Sequence, residues 1–289
     1  MPTYNFKEEA EVYVVSGGTQ YRIHVADISF SQTFSEQSHS VNTIHSPTDL
    51  FEASVINKAN AANFSFTVPA IVEGNYSILH SLLLGATSFD LYIKTAADVY
   101  RLRQSVMTNG SFVIERSRPL RLEITGEASQ LYTGVTGFSS SGAIANRSYT
   151  IPKVEVTLAG SVLTNIASVT MELQNEVSWT PFTTVHGAVS TPTMYPSGFT
   201  ISKKVLAGSI TQYLTTGTSS NAQTFSSGTS LIIKAGNGLS APNFRGFSFG
   251  PATCAFTNRV STGSVFLQNY DWRLTQNTTL SSILKYETD

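Results

Sequence analysis

One cysteine, Cys254, stands in 289 residues, so the chain can form no internal disulfide and no all-protein zinc–thiolate site. It lies in a strand-like run ending in Ala255 and Phe256, where a small core hydrophobe is expected. Charge is scarce as well: Asp, Glu, Lys and Arg make up 13% of the chain, about half of the roughly 25% usual in globular domains. The formal net charge of -1 leaves no basic footprint for tight nucleic-acid binding and nothing for an anionic membrane to attract. No stretch approaches the ~20 consecutive apolar residues that span a bilayer. The first six residues lead into Lys7-Glu8-Glu9 without an apolar run, so no signal peptide is expected and assembly in a cytoplasm is.

Polar uncharged residues fill the gap, and they alternate with apolar ones. From Val169 onward, Val169, Met171, Leu173 and Val177 share one parity while Thr170, Glu172, Gln174 and Glu176 share the other. That is a strand with one dry and one wet face. Its partner lies near the other end of the chain, where residues 25–30 (Val-Ala-Asp-Ile-Ser-Phe) match residues 166–171 (Ile-Ala-Ser-Val-Thr-Met) in character. The correspondence continues in order. A hairpin around Gly17-Gly18 answers one around Ala159-Gly160, and a long polar stretch at 35–62 answers one at 178–197. Alternating runs at 64–68 and 199–202 follow, then short helix candidates at 76–84 and 209–214, then three further strands in each half. The expected fold is all-β with one short helix per domain: a first domain at 1–137, a linker at 138–150 rich in Ser and Gly, and a second domain at 151–289.

Three motifs compete with a purely structural reading. Gly246-Phe247-Ser248-Phe249-Gly250 fits the G-x-S-x-G elbow of hydrolases, but Pro251 and a further strand follow where that chemistry requires a helix. Gly236-Asn237-Gly238 resembles a dinucleotide fingerprint, yet Pro242 opens no helix to receive a pyrophosphate. His39 and His45 lie among Glu36, Asp49 and Glu52 in metal-ligand chemistry without a compact spacing. The reading is therefore no catalytic residue, no metal and no cofactor. Arg101, Arg103, Arg116, Arg118 and Arg121 cluster without an aromatic stacking ladder, which favours ion pairs or subunit contacts over nucleic acid. Leu50, Phe51, Trp179 and Phe182 are apolar residues placed in otherwise polar stretches, where a neighbouring subunit is the expected cover.

The order of elements in each half resembles the tail tube fold of long-tailed bacteriophages, shared by type VI secretion tubes. The resemblance narrows at Ile28-Ser29-Phe30-Ser31-Gln32, at residues 60–66, at residues 105–112 and at Leu122-Glu123-Ile124-Thr125-Gly126. There the chain looks like siphophage tube subunits that fuse two tube domains. The resemblance implies tandem β-sandwich or half-barrel domains and a trimeric, pseudo-hexameric ring. Rings of that kind stack into a hollow tail tube assembled in the host cytoplasm, through which double-stranded DNA passes without specific binding. A tape measure protein and tail terminator or tip proteins are the implied partners. Phe34, His39, His45, Leu50, Phe51, Trp179 and Phe182 are the residues expected at inter-ring and subunit contacts. Other readings are a distal tail or baseplate tube-like protein, a virion receptor-binding β protein, and an esterase using Ser248.

Overall fold

The computed structural model describes residues 6–43, 46–69, 76–115, 121–140, 153–180, 194–216, 224–236, 245–275 and 284–288, with the backbone alone at 37–43, 46–57, 76, 224–226, 245, 247, 251 and 284–288. After one 3-10 turn at Lys7–Glu9, the first half runs β1(Glu11–Ser16), β2(Thr19–Ile23), β3(Asp27–Ser31), β4(Phe34–Thr43), β5(Ser46–Ala59), β6(Ala62–Pro69), α1(Tyr76–Gly85), β7(Phe89–Lys94), β8(Val99–Glu115), β9(Arg121–Ala128) and β10(Gln130–Tyr132). The second half runs β11(Lys153–Leu158), β12(Ser161–Val162), β13(Ile166–Trp179), β14(Phe199–Tyr213), β15(Thr224–Gly236), β16(Arg245–Thr262), β17(Phe266–Leu274) and β18(Leu284–Thr288). The all-β expectation holds: sixteen strands join one antiparallel sheet and β4–β5 form a second, two-stranded one.

Both halves use one strand order. The first pairs as β2-β1-β7-β8-β9-β6-β3 and the second as β12-β11-β15-β16-β17-β14-β13, with β10 and β18 each returning to the start of the long strand, β8 or β16. Even an irregularity recurs. The register slips between Leu91↔Leu102 and Phe89↔Ser105 in the first half, and between Ile233↔Phe249 and Leu231↔Ala252 in the second. Bulges of this kind bend a long strand so that its two ends can serve different layers. Ring contacts between layers follow, as in Phe64 on β6 edge-on to Phe89 on β7 and Phe30 on β3 against Tyr100 on β8. The halves meet edge to edge, with β13 pairing the far end of β8 from Ser168↔Glu115 to Gln174↔Asn109.

Helix α1 covers that junction. Leu83 lies over Gly110, where any Cβ would strike the leucine side chain, and His80 stacks on Phe112 at 5.4 Å between ring centroids. The second half holds the helix end: Asn175 Nδ2 donates to the carbonyls of Leu83 (2.9 Å) and Met107 (3.0 Å), and Lys204 Nζ donates to the Leu84 carbonyl (2.8 Å). These donors satisfy carbonyls that a helix C-terminus leaves without intrahelical partners. Burial lowers the pKa of His80 to about 4, against 6.5 in the unfolded chain. The unfolded state therefore binds the extra proton first as pH falls through 6.5, and stability drops until about pH 4. This group contributes a loss of about 3 kcal/mol across that window. Denaturant melts at pH 7 and pH 4.5 check it, with His80→Leu expected to flatten the slope.

Two local expectations are corrected. Of residues 209–214, read as a helix, 209–213 continue β14, because Ser209, Thr211 and Tyr213 alternate with Ile210 and Gln212 while the strand pairs β13 and β17 on either side. One helix is thus present among the described residues, where one per domain was expected. The polar stretch at 35–62 is mostly a long hairpin, β4–β5, paired from Phe34↔Ala59 to Thr43↔Ser46.

Candidate assembly surfaces

Eight strands lie side by side in the order β3-β6-β9-β8-β13-β14-β17-β16. One face is dry: Phe66, Ile124, Phe112, Met171, Leu173, Ile210 and Trp272 are all buried. The other face carries mainly Ser, Thr, Asn, Gln and a few charges, many satisfied by neighbours. Thr170 and Ser209 hydroxyls lie 2.8 Å apart, Thr211 Oγ1 donates to Asn269 Oδ1 at 3.0 Å, and Asn269 Nδ2 donates to Ser261 Oγ at 2.8 Å. Large rings on the dry face are set against glycines. Phe64 lies over Gly126 in the first half, while in the second the sides are exchanged and Trp272 lies over Gly208.

Both ends of the row are open. The outer edge of β3 has no strand partner among the described residues, since β3 pairs β6 alone. At the other end, β15 pairs β16 as far as Asn258, and among the described residues the last residues of β16 have no strand partner on that edge. Val260 there is 39% exposed. An unpaired edge of this kind is a template for another strand.

The two long excursions leave from the same side of the row, one between β3 and β6 and the other between β13 and β14, and their roots are tied together. Gln32 is the clamp for the first: its Nε2 donates to the Asn60 carbonyl (2.9 Å) and the Ser129 carbonyl (3.3 Å), and its Oε1 accepts from Leu131 N (2.9 Å). The second excursion crosses onto the first. Ala59 N donates to the Met194 carbonyl, Ser129 Oγ donates to the Pro196 carbonyl, and Tyr195 stands edge-on to Phe34. Of the residues expected at contacts, Phe34 is 49% exposed at this root. Trp179 closes the base of the second excursion, donating Nε1–H to Glu127 Oε2 (2.6 Å) beside Phe199. His39, Leu50 and Phe51 fall on the hairpin, where Phe51 opposes Val41, and their side chains lie outside the described residues. His45 and Phe182 lie outside them altogether. Gln32, Asn60 and Tyr195 escaped the sequence reading, because their work is set by partners up to about a hundred residues away.

The enzyme-like motifs dissolve into strand geometry. Ser248 is buried in mid-strand opposite Lys234, and no helix follows it in β16. Gly250 has φ 113°, and a Cβ there would collide with the Leu231 carbonyl across the ladder. Gly236 ends β15, and the next described element is the antiparallel strand β16 from Arg245, while Asn237 and Gly238 lie outside the described residues. Burial pushes the Cys254 thiol up to about 12, so the sulfur stays an inert core atom. Arg101 is held by Asp90 (2.6 Å) over the rings of Tyr92 and Tyr132, while Arg116 and Arg118 lie outside the described residues.

A duplicated row with a dry face, a self-satisfied polar face and two open ends has the make-up of a subunit for sheet-built assemblies. The sequence model of the Bacteriophage Baseplate Tube Protein Family matches residues 75–288, and the chain belongs to that family. It is thus a structural component of a phage tail or baseplate tube, and a virion protein. No curated protein matches the chain.

Proposed function

We propose that three copies of this chain close into a pseudo-hexameric ring of six tube domains (1–137 and 151–289, joined by 138–150), and that such rings form the tube through which the genome leaves. The repeated strand order, fused into one row with open ends, carries the reading: each copy supplies two neighbouring positions and symmetry supplies the rest. At usual strand spacing and tilt, three eight-strand rows enclose a channel roughly 40–50 Å across between backbones. The polar face lines it. Its hydroxyls and amides bond to each other and its charge is sparse, which suits passage of DNA without tight phosphate contacts. The hairpin β4–β5 reaches the next ring.

The family's description favours a tube segment at the baseplate. A hairpin able to join ring after ring favours the major tube of a siphovirus tail as second reading, with tape measure and terminator or tip proteins as neighbours. Copy number per virion separates the two. Negative-stain micrographs of purified protein at high concentration are expected to show threefold rings with a central channel, alone or stacked; a population of monomers under every assembly condition sinks the reading.

A further inference from the structure

The internal junction of this chain is a template for the junction between copies. We propose that β3 of one protomer pairs antiparallel with the end of β16 in the next, in the register Ile28–Thr262, Ser29–Ser261, Phe30–Val260 and Ser31–Arg259. This rests on the ring reading above and names its seam.

The register follows from two parallel walks across the sheet. From Ile28 the partners run Phe66, Ile124 and Gly110; from its counterpart Val169 they run Ile210, Tyr270 and Asn258. Gly110 and Asn258 are therefore equivalent. Inside the chain Val169 pairs Ile114 and Met171 pairs Phe112, so the same offsets from Asn258 place Thr262 opposite Ile28 and Val260 opposite Phe30.

Three independent features agree. Among the described residues, β15 pairs β16 up to Asn258 and leaves Arg259 without a partner on that edge, and β3 ends at Ser31, the residue this register sets opposite it. The exposure also matches: Phe112 is 2% exposed at the formed junction, whereas its equivalent Val260 is 39% exposed. Finally, a groove of about 300 Å³ runs along β3 between Phe6, Ile28, Phe30, Ile93 and Tyr100. It lies on the dry side, where the side chains of Val260 and Thr262 from a second copy would enter. One short backbone ladder and one apolar pair are a modest interface per seam, so closure depends on all three seams forming together.

Paired cysteines test the register, since the native Cys254 is buried and does not compete. Under mild oxidation the S29C/S261C double variant is expected to give covalent trimers, and S29C/R259C, displaced by two residues, is not. Val260→Asp leaves the protomer folded, as judged by circular dichroism and melting, while the ring fraction falls by about tenfold or more. Rings in the micrographs with no cross-link in S29C/S261C, or a cross-link only in the displaced pair, overturn the seam and leave the ring standing. Monomers alone in wild type overturn both.

Discussion

A chain in which residues 36–58 are replaced by a short Gly-Ser turn is expected to form closed rings that do not stack. The hairpin removed is a sheet of its own, and among the described residues its strands pair with each other alone. A two-stranded ribbon is marginal in water unless something packs against it, so the fold gains little from it and a partner is its physical justification. Its root would survive the cut, because the Gln32 clamp and the Asn60–Thr33 contacts lie at or outside the excised ends. Loss of this contact should raise the critical concentration for tube growth at least about a hundredfold, equivalent to about 3 kcal/mol per added ring. Tubes of wild-type length from the shortened chain would show that the hairpin serves something else.

Gly208→Val is expected to be the most damaging single change to the protomer. A Cβ at this position collides with the backbone carbonyl of Thr170 and sits 2.8 Å from the Trp272 ring. The carbonyl belongs to the β13–β14 ladder and the buried ring has no room to withdraw, so either the ladder opens or the indole leaves the core. A loss of at least about 3 kcal/mol is expected, lowering the melting temperature by roughly 6–12 °C. Asn63→Ala, on the polar face of the corresponding strand in the first half, should shift the midpoint by less than about 2 °C. A Gly208→Val protein that melts with wild type would mean that the packing of Trp272 over this glycine is not tight.

Much of the fold was legible in the residues because its signals are local. The alternation at 169–176 names β13 and its dry face, and the match of 25–30 to 166–171 gives the repeat, since a strand's side-chain period is two wherever one face is buried. The helix at 76–85 was legible for the same kind of reason. The second helix was misplaced because residues 209–214 are short and mixed; pairing to strands on both sides decides their form, and period alone cannot. The polar stretch at 35–62 read as a loop because its residues show no continuous dry face.

The assembly surfaces were less visible. Phe34 was among the residues expected at contacts, and Trp179 stood out as an apolar residue in polar surroundings. Gln32, Tyr195 and Val260 did not, since nothing in a Gln, a Tyr or an exposed Val marks it as a clamp or an unfinished edge.

By itself the sequence determined an all-β chain, a repeated strand order, an inert cysteine and a surface too poor in charge to seize nucleic acid. Composition and a two-residue period suffice for those. Only the tertiary structure decided that the halves join through β8 and β13, that the equivalent two positions, β3 and the end of β16, have no outer partner among the described residues, and that both excursions leave from one side. Each of these depends on which strand lies beside which, and pairing between strands distant along the chain is set by packing and backbone hydrogen bonding across the whole sheet.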